Sequence, residues 1–194
     1  MARTLGWYLM ALMAVGIAGY ALVNLGVADV RNPFVQGLFA RLPLAVALHL
    51  AGGALALVAG ALQFHRGLRT RHPRIHRRIG QAYVVAVLAS GLAGLWMAVH
   101  SEAGPAANWG FGLLAVCWLW STVQAWRMAR ARQFDAHQRW MIRSYALTLA
   151  AVTLRLYIPL FLIAGVSFPL AYLAIAWLCW VPNLVIAEWM VIRR

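Results

Sequence analysis

The chain has 194 residues, of which 64% are hydrophobic and 11% charged, and its net charge at pH 7 is +13. Soluble domains run near ~45–50% apolar and about 25% charged, so an ordinary soluble globule and a disordered chain are both excluded. Apolar segments take up most of the length, which also excludes an enzyme with a separate soluble domain.

A membrane span needs about 20 predominantly apolar residues. In chain order the stretches that meet this are 5–27, 42–64, 79–99, 107–128, 142–164 and 168–190. Each is expected to be a helix, because lipid offers no partners for backbone polar groups. The alternation of a β-barrel is missing from these runs. The expected fold class is therefore all-α: an integral membrane bundle of six transmembrane helices in one domain, 1–194. The first span follows a short basic start, Met1-Ala2-Arg3, and reads as a retained signal anchor with no clear cleavage site. Residues 165–167 are barely a turn, so the last two spans form a tight antiparallel hairpin.

All 17 cationic side chains are arginine, and their placement sets the expected orientation. One loop holds Arg66, Arg69, Arg71, Arg74, Arg77 and Arg78. Another holds Arg127, Arg130, Arg132, Arg139 and Arg143. With Arg3, Arg193 and Arg194 these fall on one side of six spans, leaving Arg31 and Arg41 on the other. Both termini are thus expected to be cytoplasmic. This distribution suits the lipid bilayer and anionic lipid headgroups at the cytoplasmic face, and argues against nucleic acid. Trp96 and Trp109 mark one interface; Trp126, Trp140 and Trp189 mark the other. Cys117 and Cys179 lie inside apolar segments and read as small hydrophobes.

Span two carries His49, Gly53, Ala56, Gly60 and Gln63 on one narrow helical face. A polar group at each end with small residues between suits close approach of another helix, with His49 bonded to that neighbour, or of a flat cofactor. Span five carries Arg155 about 20 Å from the inner face, level with His49. No acid matches that depth. Three readings stand for Arg155: snorkelling to the outer headgroups, bonding helix carbonyls such as the one freed by Pro159, or holding an anionic or carbonyl-bearing ligand beside His49. Ser144, Thr148 and Ala151 precede Arg155 on one face, which makes that stripe interior.

A second constellation sits at the inner face. Pro73 suits a first helical position, with His76 in the first turn. Asp135 is placed to cap span five, with Gln138 completing a capping box. Histidine and arginine at two helix starts invite an anion: a lipid phosphate, a haem propionate or a phosphorylated metabolite, or simply bulk anionic lipid. His76 and His137 lie at similar depth, so one b-type haem is an expected candidate, although span four has no histidine. His65, His72 and His76 could hold a metal, but cationic neighbours disfavour it, and no metal site is assigned. In span six, Pro182 is expected to kink the helix and Asn183 to repair it locally. Trp177 and Glu188 would share nearly one face. A kinked helix lined by Trp177 and Trp180 suits the wall of a pocket.

The run His76-Arg77-Arg78-Ile79-Gly80-Gln81-Ala82-Tyr83 resembles one signature of a bacterial membrane-protein family, the domain of unknown function 2306. His137-Gln138-Arg139-Trp140-Met141-Ile142-Arg143-Ser144-Tyr145, continuing to Arg155, resembles its second. Trp177-Leu178-Cys179-Trp180-Val181-Pro182-Asn183 and Glu188 resemble its third, and His49 and Gln63 also fit. The resemblance spans Leu42 to Met190. It implies a multi-pass protein of the bacterial cytoplasmic membrane and no established activity. It also implies that His49, His76, His137, Arg143, Arg155, Asn183 and Glu188 matter together.

The functional expectation is an intramembrane ligand- or cofactor-binding protein, with a b-type haem in electron transfer as its sharpest form. The candidate residues are His49, Gln63, His76, His137, Arg143, Arg155, Trp180, Asn183 and Glu188, with no catalytic residue assigned. The alternatives are a small transporter or lipid-handling protein, and an accessory subunit that works with a protein partner or as a homo-oligomer.

Overall fold

The computed structural model describes residues 2–193, with no side chains described for residues 2–4. Arg194, and the side chain of Arg3, both counted in the charge distribution above, lie outside what is described. Among the described residues the regular structure is helical: α1 (Ala2–Gly26), α2 (Pro33–Arg41), α3 (Pro43–Gln63), α4 (Arg66–Arg71), α5 (Pro73–Val99), α6 (Pro105–Arg130), α7 (Phe134–Thr148), α8 (Ala150–Ile163), α9 (Phe168–Leu178) and α10 (Val181–Ile192). Six segments are long and apolar enough to cross a membrane: Leu5–Gly26, Pro43–Gln63, Pro73–Val99, Pro105–Arg130, Phe134–Ile163 and Phe168–Ile192.

These segments match the six expected spans, with differences at the ends that have local causes. The third begins at Pro73 and the fifth at Phe134, because polar first turns extend each helix beyond its apolar run. Pro73 stands at a first helical position, as expected. Asp135 is not the cap of α7. Gln133 holds that place without a side-chain bond, and Asp135 falls within the first turn, so the Asp135–Gln138 capping box does not form. The short helices α2 and α4 lie outside the expected spans. Asn32 caps α2 by accepting from the Val35 N–H at 2.9 Å, with Pro33 following. His65 caps α4 by accepting from the Leu68 N–H at 3.2 Å.

The chain divides into two compact units, one up to Ala93 and one from Gly94 onward. In unit 1, α1 and α2 pack on α3. The Trp7 indole N–H donates to the Ala61 carbonyl at 3.0 Å, tying α1 to the end of α3. Helices α3 and α5 approach so closely that a Cβ on Gly52 would stand 2.8 Å from the Ala86 carbonyl oxygen and 2.9 Å from Ser90 Cβ.

In unit 2, α7 packs against α6 and α10, and α9 against α6 and α8. The α6–α7 hairpin turns at Arg132, which adopts φ 58°, with the Gln133 N–H donating to the Met128 carbonyl at 2.9 Å and the Arg132 N–H to the Ala129 carbonyl at 3.1 Å. The α8–α9 turn is built the same way around Gly165 at φ 79°, as short as residues 165–167 suggested. Both of the last two spans are interrupted. The fifth breaks at Leu149, where the Val152 N–H bonds the carbonyl three residues back at 2.9 Å. The sixth breaks at Cys179–Trp180, just before Pro182, whose missing N–H cannot serve the Leu178 carbonyl.

Candidate functional site

The small-residue face of α3 is filled by α5. His49 Nδ1 donates to the Ser90 carbonyl at 3.0 Å, and Ser90 Oγ returns a bond to the His49 carbonyl at 2.9 Å. At the other end Gln63 Nε2 donates to the His76 carbonyl at 3.2 Å, and a Cβ on Gly80 would sit 3.3 Å from Gln63 Oε1. His49 and Gln63 therefore clamp two ends of one helix–helix contact, with Ala56 and Gly60 buried between them. Of the two expectations for this stripe, the helix approach with His49 bonded to its neighbour is seen. Ser90, fully buried, is the partner that the sequence reading missed. Its signal was a polar residue in an apolar run, antiparallel to His49 in the register that pairs Gln63 with His76.

His65 serves as a helix cap with its ring 5.0 Å from that of Trp7, and among the described residues no three His, Cys, Asp or Glu side chains converge as a metal site. His76 and His137 belong to different units, as do His49 and Arg155.

Unit 2 is held by polar side chains. Along α6 and α7, Trp118 Nε1 donates to Thr148 Oγ1 at 2.9 Å, the Thr122 and Ser144 hydroxyls bond at 2.7 Å, and His137 Nδ1 donates to the Ala125 carbonyl at 2.8 Å. Their spacing near one turn makes a ladder on facing stripes. Arg143 and Glu188 join α7 to α10 as a bidentate pair, Nε to Oε1 at 2.6 Å and Nη2 to Oε2 at 2.8 Å. The sequence contained this pair: opposite charges at matching depth on spans five and six. Trp177 and Glu188, expected on nearly one face, lie on either side of the break at Cys179–Trp180 and bond to different helices. Trp177 Nε1 instead donates to the Ala106 carbonyl on α6 at 3.1 Å.

The two helix breaks are linked through Asn183. Its Nδ2, with two hydrogens, donates to the Cys179 carbonyl at 3.0 Å and to Thr153 Oγ1 at 2.9 Å, and shares a hydrogen with the Ala146 carbonyl at 3.3 Å. The first bond is a local repair beside Pro182, made at the Cys179 carbonyl and not at the Leu178 carbonyl that the proline itself leaves unserved. The other two connect that repair to residues flanking the break at Leu149, and Thr153 in turn donates to the Leu149 carbonyl at 3.1 Å. Trp180 is buried, with Nε1 donating to the Ala176 carbonyl at 2.9 Å.

Arg155 stands beside this double break. Its Nη1 donates to the Ala151 carbonyl at 3.0 Å, one turn back toward Leu149. Helical side chains lean toward the N-terminus of their helix, which is the direction taken here. Bonding to a helix carbonyl, one of the three readings for this side chain, is thus realised at Ala151. Ser144 and Thr148 bond to α6, whereas Arg155 lies on α8, which packs on α9. On α9 the Tyr172 ring lies 5.6 Å from Phe168 and 5.2 Å from Phe111. Nothing in the sequence singled Tyr172 out from its aromatic neighbours.

Six apolar helical segments define a multi-span membrane protein. Residues 46–191 match the family described as "Predicted membrane protein (DUF2306)", and the chain belongs to that family. No curated protein and no solved structure matches it.

Proposed function

We propose that this membrane protein binds a small ligand within unit 2, at the double helix break, with Arg155 as its anchoring charge. The observation that carries the reading is a half-buried guanidinium within the fifth span, less than two turns from interrupted backbone and on the helix that packs against α9. A charge at that depth is costly and marks ligand or ion pathways when it occurs. Non-helical backbone in a membrane is tolerated where protein buries it or where it lines a cavity. A ligand with a carboxylate, phosphate or carbonyl suits the donor fork of a guanidinium. Asn183 and Thr153 set the geometry of the break as positioning residues. His49 has a packing role on this reading.

The test is extraction of purified protein followed by mass spectrometry, together with its absorption spectrum. A species that accompanies the wild type, falls with Arg155→Lys and vanishes with Arg155→Ala is the expected result. Identical extracts from all three proteins would overturn the reading. A b-type haem on His137 would be a separate site at the start of α7, about 18 Å along the helix from the break, with the Nδ1–Ala125 carbonyl bond leaving Nε2 as the ligating atom. A Soret band lost in His137→Ala is the signature of that form, and its absence after expression with haem precursor removes haem alone.

Transport is the second reading. Paired discontinuous helices at mid-span are the architecture of many secondary transporters. Uptake by proteoliposomes, lost on Asn183→Leu, would favour it over static binding.

A further inference from the structure

Three tryptophans stand at one level on three packed helices of unit 2. The register follows from the hydrogen bonds: Trp118 with Thr148 and Thr122 with Ser144 align α6 with α7, and Arg143 with Glu188 aligns α7 with α10. Extending those offsets puts Trp126 opposite Trp140, with Trp189 within about 3 Å of the same level. Each ring carries a guanidinium. Arg130 lies 5.3 Å from the Trp126 ring, Arg143 lies 4.7 Å from Trp140, and Arg193 lies 3.9 Å from Trp189. Glu188 holds Arg143 in a bidentate pair, whereas Arg130 and Arg193 are exposed. Trp126 and Trp189 are exposed as well, at 42% and 54%.

A guanidinium lying on an aromatic face keeps its in-plane N–H groups directed outward, in a fork that matches phosphate oxygens. Indole rings settle at the headgroup level of a bilayer, with apolar surface on one side and water on the other. Here apolar helix continues on one side of the three rings and charged chain ends on the other. We propose that this collar is a binding surface for anionic phospholipid, with headgroup phosphates on Arg130 and Arg193 and the glycerol–acyl boundary against Trp126 and Trp189. The collar sits at the opposite end of α7 from the double break, and the proposal does not depend on the Arg155 reading.

The full chain in nanodiscs of phosphatidylglycerol and phosphatidylcholine provides the test. Native mass spectrometry after release is expected to show retained phosphatidylglycerol in preference to phosphatidylcholine. The preference should fall about fivefold for each of Arg130→Gln and Arg193→Gln. Arg66→Gln and Arg69→Gln, in an equally basic segment of unit 1, should change it less. Millimolar inorganic phosphate should not displace the retained lipid. In the wild type, brominated phosphatidylglycerol should quench tryptophan emission more than brominated phosphatidylcholine, a readout that needs no variant to fold. Equal retention of the two lipids, equal quenching, or equal losses from the collar and the unit 1 variants would overturn the proposal.

Discussion

The two units solve helix packing in different ways. In unit 1, α3 and α5 meet through glycine and alanine, and the polar groups at the contact, His49, Ser90 and Gln63, bond mainly to backbone carbonyls. In unit 2, side chains bond to side chains across helices: Trp118 to Thr148, Thr122 to Ser144, Arg143 to Glu188, Asn183 to Thr153. The difference follows from continuity of the helices. The unbroken α3 and α5 satisfy their own backbone, so small residues suffice to bring them together. The fifth and sixth spans are broken, and their displaced carbonyls need donors that only polar side chains supply inside a membrane. On the reading proposed above, unit 1 is a scaffold and the groups that would bind or move something lie in unit 2.

This contrast can be broken by substitution. The largest effect is expected for Asn183→Leu, which removes the donor shared by Cys179, Thr153 and Ala146. It should destabilise the protein by about 3 kcal/mol, read from unfolding in mixed detergent–SDS micelles. Next is Gly52→Ala in unit 1. The new methyl would meet backbone at Ala86, so a loss of about 2 kcal/mol is expected in the same assay. Gly16→Ala, where a Cβ would meet nothing within 4 Å, should be neutral or slightly stabilising. If the two glycine variants behaved alike, close approach would not be what holds unit 1 together.

Arg143→Ala should cost about 1–2 kcal/mol, moderated because the Glu188 side chain is 41% exposed. The exchanged pair, Arg143→Glu with Glu188→Arg, should recover part of the loss, whereas no recovery would mean that the contact lacks stabilising value. The smallest effect is expected for Thr122→Val. One rung of the α6–α7 ladder is worth about 0.6 kcal/mol in a membrane, and Thr148→Val should cost more because it strands the fixed indole N–H of Trp118, whereas the Ser144 hydroxyl that bonds Thr122 can rotate to another acceptor.

Much of the fold was legible because lipid allows so few solutions. Runs of about 20 apolar residues had to be helices, and their number and approximate limits followed. The breaks were only half legible. Pro182 announced the one in the sixth span, since a missing N–H is written in the sequence. Leu149 announced nothing, because the interruption there is set by packing and by the Asn183 side chain reaching across to Ala146. The candidate site was legible residue by residue more than as a group. Asn183 was expected to mend its own helix and does, but its bonds to a second helix are tertiary facts. Asp135 looked like a cap by residue type, yet Arg132 in the left-handed conformation shifts the turn so that Gln133 takes the position. Arg143 and Glu188 could have been paired by the depth argument applied to Arg155.

The most direct measurement compares Arg155→Ala with His49→Ala by native mass spectrometry of protein released from native-lipid nanodiscs. Unit 2 as the binding unit requires a bound species on the wild type that disappears with Arg155→Ala and persists with His49→Ala. A bound species unaffected by Arg155→Ala, or lost equally with either substitution, would contradict that assignment.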